Sequence, residues 1–160
     1  MNDQQALIVK MILDSWNAHI GRTHKLFEAL SDEQLQKEVS PGRNTGVYLL
    51  GHLAAVHDAM LPLLGLGERL YPQLEEVFIK NPDKSGLQKP TVKELRSYWS
   101  TVNEALAKQF AQLAPAEWLQ KHTAVSEEAF KNEPHRNRLN VMLSRTSHLA
   151  GHHNQLIFLQ

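Results

Sequence analysis

Two histidines in the last part of the sequence, His148 and His152, have a spacing that indicates metal chemistry. On a helix, residues four apart lie on one face, one turn from each other, so both imidazoles can reach a single ion. His52 lies far upstream among apolar residues, on the predicted core face of a different helix. One histidine on an apolar face is more often a hydrogen-bonded core residue, but three on core faces predict a metal site.

The composition restricts the chemistry of such a site. The sequence of 160 residues contains nine histidines and no cysteine. A metal ion must therefore be held by nitrogen and oxygen, and disulfides and cysteine nucleophiles are excluded. Neutral imidazoles suit zinc, nickel, iron and copper, whereas calcium and magnesium prefer oxygen ligands. Zinc or nickel is the leading candidate, with iron as a further one. Three protein ligands leave positions for water or substrate, as in catalytic zinc sites.

Four further residues are candidates for contact with the ligands or with a substrate. His19 lies on the predicted core face of the first helix and is a fourth ligand, a proton shuttle or, as we favour, a hydrogen-bonded core residue. Tyr48, one turn before His52, is an acid or part of a pocket lining. Arg145 could bind a carboxylate of a small ligand. A cation at the edge of a helix is more often a solvated residue. Gln155 is placed to orient a ligand imidazole or to contact substrate.

The remaining histidines are not predicted to be ligands. His153 points about 100° away from His152 around the helix, which places it on a flank or at a subunit contact. His57 is turned away from the face that carries His52. The other three are predicted to lie at the surface or in loops: His24, His122 and His135.

These residues must be positioned by helices, and apolar residues at steps of three and four predict a first helix over about 3–30. Its predicted core face consists of Ile8, Met11, Ile12, Ser15, His19, Leu26 and Leu30. Ser31 followed by Gln34 is a capping-box pattern, which predicts a short connecting helix before Pro41 and Gly42.

The second and third helices are separated by a long connection. The second, over about 45–66, carries His52 on an amphipathic stripe and is bent or ended by Pro62. Residues 65–90 are rich in proline and glycine, which predicts a crossover with short helical pieces at most. A capping box at Thr91 begins the third helix, which we expect to end near Pro115.

A polar stretch over about 121–136 leads into the last helix. The face of that helix is predicted to contain Val141, Ser144, Arg145, His148, His152, Gln155 and Leu159. The simplest arrangement that buries one apolar face from each of four helices is a four-helix bundle. The tryptophans are predicted to pack in the core or its connectors: Trp16, Trp99 and Trp118.

Charge and length predict the setting of the protein. The 17 basic and 17 acidic residues balance, with a pI near 7.1, so no overall field favours nucleic acid or an acidic membrane. A small molecule is the expected ligand. The sequence is of a length typical of one domain, 1–160. The first residues lack the pattern of a signal peptide and no membrane span is present, which predicts a cytoplasmic protein.

The histidine motifs resemble those of the DinB/YfiT-like superfamily of metal-binding bundles. The matching segments are Gly51-His52-Leu53 and His148-Leu149-Ala150-Gly151-His152-His153-Asn154-Gln155, and the resemblance covers essentially the whole sequence. It implies an all-α four-helix bundle of the up-down-down-up type, with a divalent metal on the three histidines and Gln155 in the family's glutamine position. Asn154 departs from the glycine of many members, which affects packing more than metal binding.

Two functions remain open on these grounds. Characterised members of the family include thiol S-transferases and an isomerase. The resemblance therefore implies an enzyme whose metal ion activates water or a low-molecular-weight thiol for attack on a small electrophile. The reaction would be that of an S-transferase, an isomerase or a hydrolase. The alternative is a non-catalytic metal-binding bundle for stress response or interaction. A closed site with a fourth protein ligand would favour the alternative. The resemblance also implies a homodimer, and no residue is assigned a catalytic role.

Overall fold

Four long helices form the framework of the structure, which is a computed structural model that describes residues 3–160. They are α1 (Asp3–Ala29), α3 (Gly46–Asp58), α6 (Val92–Phe110) and α8 (Arg138–Leu156). Shorter segments join them: α2 (Asp32–Leu35), α4 (Met60–Leu63), α5 (Leu74–Phe78), α7 (Glu127–Asn132) and the 3₁₀ helices Pro115–Leu119 and Ile157–Leu159. Residues 3–160 contain isolated β-bridges but no strand. The predicted all-α class is confirmed.

Polar side chains fix where two of these helices begin. The Thr91 hydroxyl accepts a hydrogen bond from the Glu94 amide, and the Glu94 carboxylate accepts one from the Thr91 amide. Ser31 and Gln34 make the same reciprocal pair at the start of α2. Each capping box satisfies amide groups that have no partner inside the helix. Both predicted helix starts are confirmed.

The second predicted helix is interrupted near its end. α3 ends at Asp58, and α4 resumes at Met60 and contains Pro62. Proline has no amide hydrogen, and its ring meets the carbonyl of the residue four positions earlier, which is Asp58 here. The predicted effect of Pro62 is therefore confirmed, with the break upstream of the proline itself.

Burial of α3 extends around the whole helix. Every one of its residues except His52 is buried, because α5 and α6 pack against it and α8 also contacts it. A helix that is apolar all round is typical of a protein core. The predicted single stripe was wrong, and His52 is the one position where α3 reaches the edge of the core.

The core face of α1 also differs from the prediction. Ile8 and Met11 are 54% and 61% exposed, whereas Val9 is buried. Leu26 and Leu30, on the same predicted face, are buried as expected. α1 carries apolar residues on two faces in its first half, so spacing alone does not identify the face that packs.

The chain between α6 and α8 is more helical than predicted. α6 ends at Phe110, before the expected end near Pro115, and Pro115 begins a 3₁₀ helix instead. A proline is tolerated at a first helical position because that amide has no partner inside the helix. The polar stretch contains α7. The Ser126 hydroxyl caps its first turn by accepting a hydrogen bond from the Ala129 amide.

The core is formed where the long helices meet. α1 packs on α8, and α3 packs on α6. One cluster of buried apolar side chains draws on all four long helices and on the crossover. The tryptophans are buried in it, as predicted: Trp16, Trp99 and Trp118. Among residues 3–160, every helix is too short or too polar to span a bilayer.

Two buried carboxylates anchor the crossover between α4 and α6. Asp58 accepts hydrogen bonds from the amides of Leu70 and Tyr71, at 2.8 Å each. Asp83 accepts one from the amide of Thr45, at 2.7 Å. Charge-assisted bonds of this kind hold loop backbone in place. The crossover, which contains only the short helix α5 as predicted, is thereby fixed against α3.

Candidate metal centre

The three predicted histidines come together between α3 and α8. Nε2 of His148 lies 3.1 Å from Nε2 of His52 and 3.1 Å from Nε2 of His152. One ligand atom from each of the three lies within 4.8 Å of the other two. All three side chains are half-buried. Among residues 3–160, no other group of three histidines and carboxylates is arranged in this way.

These separations fit nitrogens that share one ion. An ion about 2.05 Å from each of two nitrogens separates them by roughly 2.9 Å at a right angle and roughly 3.3 Å at the tetrahedral angle. The two spacings of 3.1 Å lie between these limits. A proton on Nε2 of His148 could serve only one of its two contacts, whereas a cation serves both. The arrangement is compatible with binding of a divalent metal.

His52 is oriented by the crossover. Its Nδ1 donates a hydrogen bond of 2.7 Å to the Phe78 carbonyl, so the proton lies on Nδ1 and the lone pair of Nε2 faces His148. Phe78 approaches α3 closely because position 51 is glycine: a Cβ there would lie 2.3 Å from the Phe78 ring. Gly51 therefore permits the contact that aims His52.

Tyr48 supports the same arrangement from one turn earlier on α3. Its ring is stacked with that of His52, with centroids 6.0 Å apart, and its hydroxyl donates to the Asn81 carbonyl at 2.7 Å. Burial raises the pKa of Tyr48, and the Asp83 charge adds to this. The phenol proton is thus directed at the backbone of the crossover, and the ring lies against that of His52.

His152 is oriented from within α8. Its Nδ1 donates to Oε1 of Gln155 at 2.8 Å, which leaves the Nε2 lone pair toward His148. Such an acceptor fixes the tautomer and the ring direction of a ligand histidine. The structure thus places Gln155 against the imidazole of a candidate ligand, which agrees with the first of the two roles considered from the sequence.

His148 lies in the middle of the cluster, in contact with both other histidines. Its Nδ1 is buried without a hydrogen bond to any protein atom among residues 3–160. Burial lowers the pKa of His148 to about 4, helped by His152, His52 and Arg145. Burial also lowers the pKa of His52. Both imidazoles are therefore neutral at pH 7, the state in which histidine binds a metal.

Arg145 lies on the same face of α8 as the two histidines, three residues before His148. Its side chain is half-buried, and burial lowers its pKa. After burial and the other histidines of the cluster, Arg145 also lowers the pKa values of His52 and His148.

The structure separates His19 from the cluster. Its Nδ1 donates to the Ser15 carbonyl at 2.8 Å. With Thr146 and Ala150 it lines a groove of about 400 Å³ between α1 and α8, and it is absent from the histidine cluster. The expected hydrogen bond is present, but His19 is only half-buried and lines a surface groove, so its predicted place in the core was wrong. His153 also faces α1, with Nδ1 3.2 Å from the Thr23 hydroxyl, so it lies on a flank within the chain.

His57 is the residue that sequence reasoning undervalued. It is fully buried between the rings of Trp16 and Trp99, and its Nδ1 donates to Oδ1 of Asn103 at 2.8 Å. Burial lowers its pKa to about 3. The signal was available: a continuous apolar run surrounds His57, and such a run predicts burial on every face of a helix.

The fold and the site together define a class of protein: an all-α protein with a cluster of histidines suited to a divalent cation. A family model described as the DinB superfamily matches residues 15–156. The chain belongs to the DinB superfamily, which confirms the resemblance seen in the histidine motifs. The match includes all three clustered histidines and Gln155. None of the curated protein sequences compared with this chain matches it.

Proposed function

We propose that this DinB-superfamily protein is a divalent-metal-dependent enzyme whose ion, zinc or nickel and otherwise iron, is held by His52, His148 and His152. The observation that carries the proposal is the convergence of three imidazole Nε2 atoms with spacings of 3.1 Å. The Nδ1 protons of two of them are held by the Phe78 carbonyl and by Gln155. Ligand set, tautomers and neutral state all suit a metal ion.

The reaction proposed is attack by water or a low-molecular-weight thiol on a small electrophilic substrate, as in an S-transferase, isomerase or hydrolase. A bound divalent ion would supply Lewis acidity that makes such a nucleophile available near neutral pH. The protein would contribute the fixed imidazoles and the positive Arg145 beside them. The sequence contains no cysteine, so a covalent intermediate on a protein thiol is not part of the proposal.

The three-ligand set supports an enzyme over a non-catalytic metal-binding bundle. A structural site closes with four protein ligands, whereas a catalytic one keeps a position free. Within residues 3–160 the cluster has three members, and His19, the fourth ligand considered, donates to Ser15 instead. A closed site with four protein ligands would need a ligand from outside residues 3–160.

We further propose that α1, α3, α6 and α8 form a four-helix bundle of the up-down-down-up type in one domain, 1–160. The helix pairs in contact and the shared apolar core support this. A homodimer is also proposed. Its support is exposed apolar surface on the first half of α1, where Leu7, Ile8 and Met11 are each more than half exposed. The cytoplasmic location and the absence of nucleic-acid partners stay predictions from the sequence.

The test is the metal content of protein purified without an affinity tag. We expect about one equivalent of zinc, nickel or iron in the wild type, and loss of that metal in His148→Ala. His153→Ala is the matched control, because it removes a neighbouring histidine of α8 that faces Thr23, and it should retain the metal. Wild-type protein that stays metal-free after incubation with each ion would eliminate the proposal.

A further inference from the structure

Arg145 differs from the other half-buried arginines of the structure in having no partner. Those with protein partners are Arg69, Arg96, Arg136 and Arg138. Arg145 makes no hydrogen bond or ion pair with any group in residues 3–160, and its Nε is buried without an acceptor. A guanidinium removed from water without an acceptor is unfavourable. An acceptor from outside the chain would satisfy it.

The place of this unpaired guanidinium is beside the histidine cluster. Arg145, His148 and His152 follow one another at steps of three and four on a single face of α8. Helix register therefore places Arg145 beside the cluster, on the same side of α8.

No acid balances the charge of Arg145 in this arrangement. The cluster consists of three imidazoles, and no carboxylate among residues 3–160 joins it. With a divalent ion bound, the ion and the guanidinium would share a partly buried environment without a counter-charge from the chain. Uncompensated charges in such surroundings are costly, so the site favours a ligand that brings negative charge.

We propose that Arg145 binds an oxyanion group, carboxylate or phosphate, of the small-molecule substrate, and that the site thereby selects anionic substrates. The proposal rests on the proposed metal-dependent function and names the substrate class of that site. The planar fork of a guanidinium matches the two oxygens of either group and holds them by parallel charge-assisted hydrogen bonds. Arg145 thus binds substrate and does not coordinate the metal, which is held by the three histidines.

The experiment compares wild type, Arg145→Gln and Arg22→Gln, each loaded with zinc. The control removes an exposed arginine of α1 that lies near His153. Zinc stoichiometry is measured first, by elemental analysis. Acetate, inorganic phosphate and the neutral analogue acetamide are then titrated separately, with binding followed by NMR chemical shifts. Circular dichroism checks folding, and Arg145→Met, which keeps the aliphatic stem, replaces the glutamine variant if that one does not fold.

We expect all three proteins to hold about one zinc. Arg145→Gln should weaken binding of acetate or phosphate by about 10- to 100-fold, the effect of losing a hydrogen-bonded charge, whereas Arg22→Gln should not. Acetamide binding should change little in any of them. Equal affinity of wild type and Arg145→Gln for both anions would overturn the inference and leave the metal site intact. Absence of zinc from the wild type would instead overturn the proposed function.

Discussion

Gly51→Ala adds a methyl group where the ring of Phe78 lies. The new Cβ would be 2.3 Å from two ring atoms, against ordinary contacts of 3.4–4 Å, and Phe78 is fully buried. The ring or α3 must shift by about an ångström. Overpacking of this kind costs about 1–3 kcal/mol of unfolding free energy. The carbonyl of Phe78 accepts a hydrogen bond from Nδ1 of His52. The shift would therefore also disturb the orientation of the His52 imidazole, a candidate metal ligand.

Gly151→Ala is the matched control for this change. Both glycines lie inside long helices and immediately precede a clustered histidine, but a Cβ at Gly151 meets nothing within 4 Å. Replacing an exposed helical glycine by alanine stabilises by up to about 1 kcal/mol. The gain in helix propensity is common to both variants, so they should differ in unfolding free energy by the overpacking cost, about 1–3 kcal/mol.

The assay has two parts, urea unfolding of the metal-free proteins and zinc affinity from competition with a chromophoric chelator. Gly51→Ala should be destabilised and bind zinc about 10- to 100-fold more weakly, as expected when the partner of a ligand histidine is displaced. Gly151→Ala should match the wild type in affinity. If Gly51→Ala is as stable as Gly151→Ala and binds zinc equally well, the account of Phe78 as the residue that aims His52 is wrong.

Three other measurements follow from the same structure. Gln155→Ala removes the acceptor for Nδ1 of His152 and should weaken zinc binding by about 10- to 100-fold in the same competition assay. Burial lowers the pKa of His57 from 6.5 to about 3, so as pH falls this imidazole is protonated in the unfolded chain before it is protonated in the folded one. The free energy of unfolding should therefore decline from pH 6.5 toward pH 3. At pH 5 the loss should be about 2 kcal/mol, measured by urea unfolding. Met11→Glu places a charge on the exposed apolar surface of α1 and should convert the proposed homodimer to monomer in sedimentation velocity.

Each of these has an outcome that contradicts it. Wild-type zinc affinity in Gln155→Ala would show that His152 needs no acceptor. His57→Gln should lose its share of the pH dependence, and His135→Gln, an exposed control, should keep it; equal slopes in both would exclude His57 as the source. A wild type that is monomeric at micromolar concentration would remove the dimer, and a dimer that persists in Met11→Glu would place the interface elsewhere.

Features set by local spacing could be predicted from the sequence. The capping box at Thr91 uses residues three apart, and the pairing of His148 with His152 needs only one turn of helix. The meeting of these two with His52 needed more, because it depends on how α3 and α8 pack. It was predictable because all three histidines interrupt apolar segments, which must come together in a core.

Other features set by partners distant in sequence could not be predicted. On α1, the exposed Ile8 and Met11 and the buried Val9 are equally apolar, so only the packed neighbours decide which face enters the core. The acceptor for Nδ1 of His52 is the backbone carbonyl of Phe78. A carbonyl is present at every residue and leaves no mark in the sequence, except that Gly51 allows the approach.

The three histidines are held by different means, and this bears on how the site works. The crossover carbonyl of Phe78 aims His52, and Gln155 aims His152, whereas His148 is held by burial alone. Two ligands are thus fixed by hydrogen bonds from separate parts of the chain, and the third contacts both at 3.1 Å. An ion bound there would join α3, the crossover and α8, so metal affinity and the stability of that region are linked. Because the crossover sets one ligand, changes in it can tune the metal site without altering any histidine.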